Sequence, residues 1–150
     1  MSPWRSPPIA FAVAAVAIWL LGRSVEFGGF SLPYQAPIGI GLIVLGIVVV
    51  AVSIRSFVAA GTTPDPTRPQ RATELVIAGV YSLSRNPMYV GDAMILAGIA
   101  VWVGSVLGLV PIAAFIWYID RFQIGAEEEA LAEIFGDRYA AYRSRVRRWL

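Results

Sequence analysis

From Ala36 to Gly61 the chain reads APIGIGLIVLGIVVVAVSIRSFVAAG. A run this long and this apolar leaves few folding outcomes. About 20 such residues, coiled as a helix, cross the hydrocarbon of a bilayer, and a helix satisfies its own backbone hydrogen bonds there. Its one charge, Arg55, lies near the end, where a long side chain reaches the headgroups. Three further segments follow the same logic. The first, PPIAFAVAAVAIWLL at 7–21, is preceded by Trp4 and Arg5 as interfacial anchors. It has the length of a signal peptide, but no small-residue cleavage site followed by a polar mature region, so it reads as a helix. The segments 87–103 and 105–119 are separated only by Gly104-Ser105, which makes them a tight helical hairpin. Both are short for a full crossing, so tilt, bilayer thinning or a wet end is expected. The expectation is an all-α polytopic membrane protein with about four transmembrane helices, spanning 7–21, 36–60, 87–103 and 105–119. At 150 residues these form a single domain. Composition agrees: 57% of residues are hydrophobic, against about 45–50% in soluble domains.

Four crossings put both termini on one side. Arg5, Arg55, Arg68, Arg71, Arg85 and Arg121 then share that side with the tail, and only Arg23 faces the other. Positive residues stay in the cytoplasm, so both termini are expected to be cytoplasmic, in a multi-pass protein of a bacterial inner membrane. The tail RYAAYRSRVRRWL carries five arginines. Beside apolar spans, that charge is suited to anionic headgroups rather than to nucleic acid. Gly39, Gly41 and Gly46 permit close helix contact, which leaves a homo-oligomer open.

The residue inventory removes much chemistry. There is no cysteine and no histidine, and all twelve basic residues are arginine. Disulfides, thiol nucleophiles, imidazole bases and lysine Schiff bases are therefore excluded, and no metal site is expected. Arg, Asp, Glu, Tyr, Asn and backbone remain, a set that positions a cofactor well and makes a poor nucleophile.

The polar residues cluster in two places. The cytoplasmic connector 61–86 holds Pro64, Pro66 and Pro69, which prevent regular helix, and its LVIAGVY stretch is apolar enough to pack back on the spans. It ends in SLSRNPMYVGD, 82–92. Asn86-Pro87 makes a helix start, as N-cap and first helical residue. That leaves Arg85, Tyr89 and above all Asp92 to explain. A carboxylate one to two turns inside an apolar span marks a site, unless it lies at headgroup depth paired with Arg85 or Arg55. The second cluster is an amphipathic C-terminal helix, 126–148. Glu127, Leu131 and Phe135 share a stripe that Tyr139, Tyr142 and Val146 continue, while Glu129, Glu133 and Asp137 form a solvated stripe. Glu127 is the odd member of the apolar stripe. It either complements the helix dipole or accepts hydrogen bonds from a cationic or hydroxyl-bearing ligand.

GVYSLSRNPMYVGD, a hairpin, then EEEALAEIFGDRYAAYRSRV resembles the integral-membrane methyltransferases of the isoprenylcysteine carboxyl methyltransferase and phospholipid methyltransferase group. The resemblance covers about residues 61–148; the first two spans match only as hydrophobic helices. It implies S-adenosylmethionine as cofactor, bound from the cytosol, and a lipophilic small molecule or lipid as acceptor. It assigns cofactor contacts to Thr73, Glu74, Leu75, Val76, Tyr81, Asn86, Pro87, Met88, Tyr89 and Glu127. Asp92 and Arg85 are the catalytic candidates, Asp92 as a base for an amine or hydroxyl or as an electrostatic group. Asn86 replaces the histidine usual in this motif. Gln123 stands where prenylcysteine-specific members carry a substrate-binding arginine, which argues against that carboxylate unless Arg121 substitutes; both residues are candidates for the acceptor side. The acceptor is left open among phospholipid amine, lipid carboxylate, quinone-like hydroxyl and hydrophobic thiol. Two rivals are an NADPH-dependent sterol-reductase-like enzyme, whose family shares an Arg-x-Pro-x-Tyr element, and a non-catalytic membrane module.

Overall fold

A computed structural model describes residues 6–24, 27–62 and 73–150. Trp4, Arg5, Pro64, Pro66, Arg68, Pro69 and Arg71, which entered the expectations above, lie outside the described residues. The described residues are mainly helical: α1 (Pro7–Ser24), α2 (Gln35–Ala59), α3 (Pro87–Val103), α4 (Leu109–Tyr118) and α5 (Gly125–Arg145), with single 3-10 turns at Gly79–Ser82 and Val106–Gly108. Among the described residues there is no strand, only an isolated antiparallel bridge between Gly29 and Ser105.

α1, α2 and the continuous run Val106–Arg145 are long and apolar enough to cross a membrane. Val13, Trp19, Ile40, Val44, Ile47 and Trp117 are exposed on their outer faces. Helices apolar on the outside as well as the inside belong in hydrocarbon. α3 has 17 residues, about 26 Å of helix, and is inserted between α1, α2 and α4. Ile18, Leu96 and Ile119 are fully buried where α1, α3 and α4 meet, and Phe11 sets its ring edge-on to Phe115 at 6.3 Å.

The most extensive helix contact is α2 on α3, and glycine is its cause. A Cβ added to Gly39 would lie 2.8 Å from the Gly98 carbonyl, and one added to Gly46 would lie 2.6 Å from the Gly91 carbonyl. The reciprocal distances, Gly98 to Gly39 and Gly91 to Gly46, are 2.7 and 2.8 Å. Lipid tails are as apolar as leucine, so spans associate by backbone approach and dispersion rather than by water exclusion. Two of the three span-two glycines are thus used inside the chain, while Gly41 faces open space.

The hairpin turn is built as expected from Gly104-Ser105. Gly104 takes φ 70°, and the amides of Gly104 and Ser105 return to the carbonyls of Val101 and Ala100, a Schellman cap. Phe30 N–H donates to Gly104 and Val106 N–H to Gly28, which fastens the α1–α2 loop to this turn.

Two expectations need correction. α4 does not end before the C-terminal helix: residues Ile119–Ile124 form a π turn that runs on into α5. And 126–148 is not one straight amphipathic helix. Gly136 adopts φ 48°, ψ −122°, the chain bends there, and helix ends at Arg145. Leucine or tyrosine could not take that backbone cheaply.

Candidate functional site

α1, α2, α3 and α5 converge, away from the hairpin turn, on a cavity of about 350 Å³. Its wall combines α1 (Pro7, Pro8, Phe11), α2 (Val50, Phe57), the connector, the start of α3 and both arms of α5. Glu127, Tyr81 and Asn86, distant in sequence, all face it.

Glu127 is the hub. Its Oε1 accepts hydrogen bonds from the Tyr89 hydroxyl at 2.7 Å and from Gln123 Nε2 at 2.7 Å, which bolts α5 to α3. Since α4 continues into α5, Glu127 has no free helix N-terminus to complement, and the dipole explanation falls away. Burial, reinforced by neighbouring Glu128, pushes its carboxyl up to about 7, against the lowering effect of those two hydrogen bonds. Tyr81 lies in the 3-10 turn, buried, with its ring edge-on to Phe57 at 5.2 Å. Its carbonyl accepts from the Tyr142 hydroxyl at 2.7 Å, and burial raises its own hydroxyl pKa well above the usual range.

Asp92 sits one turn beyond Met88 on α3, on the cavity wall with Val50 and Phe11. Among the described residues it makes no hydrogen bond or ion pair, so the pairing with Arg85 or Arg55 considered from sequence does not occur. Arg85 pairs instead with Glu128, Nη1 to Oε1 at 3.2 Å, with side chains 10% and 9% exposed.

Asn86 precedes α3, and Pro87 takes the first helical position. The Asn86 side chain does not cap the helix; its Nδ2 donates to the Arg148 carbonyl at 3.0 Å. The tail supplies more of this clasp. Arg85 N–H donates to the Arg147 carbonyl at 2.9 Å. The Arg148 guanidinium forks onto Glu128 at 3.1 and 2.6 Å, and its Nη1 reaches Asp120 at 3.1–3.2 Å. Trp149 Nε1 donates to Asp120 at 3.0 Å. At least one tail arginine is therefore bound inside the protein, not to headgroups; Arg143, Arg145 and Arg147 are exposed.

Of the sequence candidates, Glu74, Leu75, Val76, Tyr81, Arg85, Asn86, Met88, Tyr89, Asp92 and Glu127 line the cavity. Thr73 does not: its N–H donates to Thr62 Oγ1 at 3.0 Å, at the end of α2. Pro87 is buried behind the wall, Gln123 is buried against Glu127, and Arg121 is exposed away from it. Sequence reasoning missed Glu128 and the contributions of α1 and α2. Tyr139 and Tyr142 stood on the apolar stripe, but not as cavity residues. An isolated glycine in a helical pattern, Gly136, was the available signal for the bend that brings them in.

The phospholipid methyltransferase family model matches residues 34–138, more than two thirds of the chain. The chain belongs to the phospholipid methyltransferase family. It is 41% identical over 63 residues to an uncharacterised protein of Haemophilus influenzae, covering 42% of this chain and all of that one. It is 28% identical over 108 residues to protein-S-isoprenylcysteine O-methyltransferase B of Arabidopsis thaliana, 72% of this chain and 55% of that protein. With protein-S-isoprenylcysteine O-methyltransferase of Schizosaccharomyces pombe it shares 32% identity over 72 residues, 48% of this chain and 30% of that protein. The chain thus spans about half or less of the length of these two enzymes. No solved structure matches it. The group recognised from the motifs is the group these comparisons return, and the apolar helices make this family member a membrane protein. Neither the reductase nor the non-catalytic reading is favoured by them.

Proposed function

We propose that the protein is an S-adenosylmethionine-dependent methyltransferase acting on a lipophilic acceptor at the cytoplasmic face of a bacterial inner membrane. One observation carries the reading. Glu127, Tyr81 and Asn86 share a single cavity with Asp92, Phe11 and Val50, so a polar ligand and an apolar one have room to meet. The volume, about 350 Å³, falls in the range of small-molecule sites, about 300–1,000 Å³. The arginine distribution along the sequence supports the cytoplasmic orientation of the site and of both termini.

The donor set fits the cofactor. Glu127 accepts hydrogen bonds from its ammonium or ribose hydroxyls, and Gln123 holds that carboxylate in position. Tyr81 and Tyr89 offer ring faces to adenine or to a sulfonium, and Glu74, Leu75, Val76, Asn86 and Met88 complete the wall. When bound, S-adenosylmethionine supplies a methyl group already activated by a positive sulfur. The chain needs no nucleophile of its own. It has to align the acceptor, exclude water and hold charge in place, which suits a protein without cysteine, histidine or lysine. Asp92 accepts the proton released by an amine or hydroxyl acceptor. A lipid carboxylate would meet Asp92 as a like charge, and Arg121, the arginine nearest in sequence to Gln123, is exposed away from the cavity.

Purified protein in nanodiscs, given methyl-labelled cofactor and membrane lipid extract, should transfer label to an extractable lipid. Glu127→Ala and Tyr81→Ala should lower that transfer. Tight NADPH binding with no affinity for S-adenosylhomocysteine would refute the reading.

A further inference from the structure

Glu128 is contacted by two guanidinium groups, and they share it unequally. Arg148 takes both oxygens in a fork, at 3.1 and 2.6 Å, the geometry in which arginine binds carboxylate most strongly. Arg85 comes within 3.2 Å of Oε1, yet its Nε and Nη1 are buried without a hydrogen-bond acceptor; the Tyr139 hydroxyl is its other neighbour. Arg148 has a further carboxylate in Asp120 at 3.1 Å. Two carboxylates thus contact Arg148, whereas Arg85 has one oxygen of Glu128, shared with Arg148 Nε, and two buried donors without a hydrogen-bond acceptor. A buried donor without an acceptor is costly, and this one belongs to a side chain that lines the cavity.

We propose that Arg148 is a positioning residue for the cavity: by occupying both oxygens of Glu128 it keeps the Arg85 charge available on the wall, where it receives the carboxylate of an amino-acid-bearing ligand. This rests on the reading that the cavity takes S-adenosylmethionine, whose methionyl end carries such a carboxylate beside the ammonium assigned to Glu127. Without Arg148, Glu128 is free to turn wholly onto Arg85, tightening the contact already present at Nη1 and drawing away the charge the ligand would use. The tail carbonyls of Arg147 and Arg148 hold Arg85 N–H and the Asn86 side chain, so the same segment also fixes the backbone from which Arg85 projects.

The test compares two probes, S-adenosylhomocysteine and its decarboxylated analogue, by calorimetry on full-length protein in nanodiscs. The wild type should prefer the carboxylated probe by about tenfold or more, the scale of a charge-assisted hydrogen bond. Arg148→Ala should bring the ratio close to one, and adding Glu128→Gln to that variant should restore the preference, which a purely structural tail would not do. Glu128→Gln alone should raise the preference above wild type, and it carries the test if Arg148→Ala does not fold. An unchanged ratio in Arg148→Ala, no restoration in the double variant, or a ratio that falls in Glu128→Gln would overturn the proposal while leaving the cofactor reading intact. A wild type that binds neither probe would remove the cofactor reading itself.

Discussion

The α2–α3 seam and the clasp at the base of α5 solve the same problem, holding two segments together, by opposite means. Along the seam the chain removes side chains: Gly39 meets Gly98 and Gly46 meets Gly91, backbone to backbone. At the clasp it adds charge, with Arg85 and Arg148 on Glu128 and Asp120. The difference follows the surroundings. In hydrocarbon a buried ion pair is expensive and close packing is the available attraction. At the polar end water and carboxylates are at hand, and arginine can be oriented by several acceptors at once. A seam of this kind should tolerate no added volume and ignore pH, whereas a clasp and the site beside it should respond to charge.

The largest effect should come from volume in the seam. Gly46→Leu, with the Gly91 carbonyl 2.6 Å from the new Cβ, should abolish folding or lower stability by at least about 1–3 kcal/mol. Gly41→Leu, on the same helix with nothing within 4 Å, should change it by less than about 0.5 kcal/mol; thermal unfolding in detergent separates the two. Next comes Glu127→Gln, expected to weaken S-adenosylhomocysteine binding by roughly 10-fold or more while leaving the fold in place, read by calorimetry beside circular dichroism.

A pH series sharpens the contrast. The Glu127 carboxyl titrates near 7 because burial favours its neutral form. Binding an ammonium favours the ionised form, so affinity should climb from pH 6 to 8 and level off, and Glu127→Gln should flatten the curve. The effect on the unliganded fold has the opposite sign. The native state keeps this proton to higher pH than the unfolded chain, so stability from this group should fall as pH rises from about 4.5 toward about 7. Gly46 and Gly98, lacking any titrating group, should contribute nothing to either curve. The smallest effect belongs to the exposed pair Arg138–Glu74, 4.0 Å apart with side chains 68% and 58% exposed. Arg138→Ala should alter the stability read from thermal unfolding by no more than the value of a surface ion pair, about 0–1 kcal/mol.

The same contrast explains what could be read from sequence. Apolar length and the Gly104-Ser105 punctuation made the helices legible, because spans answer mainly to local hydropathy. Asp92 and Glu127 stood out because each is a carboxylate where the pattern calls for an apolar residue. Glu128 did not stand out, being one of three adjacent glutamates, and its partners lie at 85 and 148. Pairing it required knowing that the chain bends at Gly136, and a 3.6-residue period carried across that glycine put Tyr139 and Val146 on a helix face that does not extend so far. Likewise, nothing in the spacing said which span-two glycines face inward; only the register of α3 against α2 separates Gly39 and Gly46 from Gly41.

The π turn at Ile119–Ile124 has a consequence for how this architecture can change over evolutionary time. Each residue of a helix advances the side-chain direction by about 100°, and a wide turn accommodates one surplus residue without breaking the rod. Asp120 and Gln123 lie inside that turn and Glu127 just past it, so their bearings relative to the buried Ile119 are set by the surplus. Losing a single residue there would swing Glu127 off Tyr89 while leaving the membrane-crossing part untouched. Insertions and deletions at this point would therefore act as a dial on pocket chemistry, independent of everything that anchors the protein in lipid.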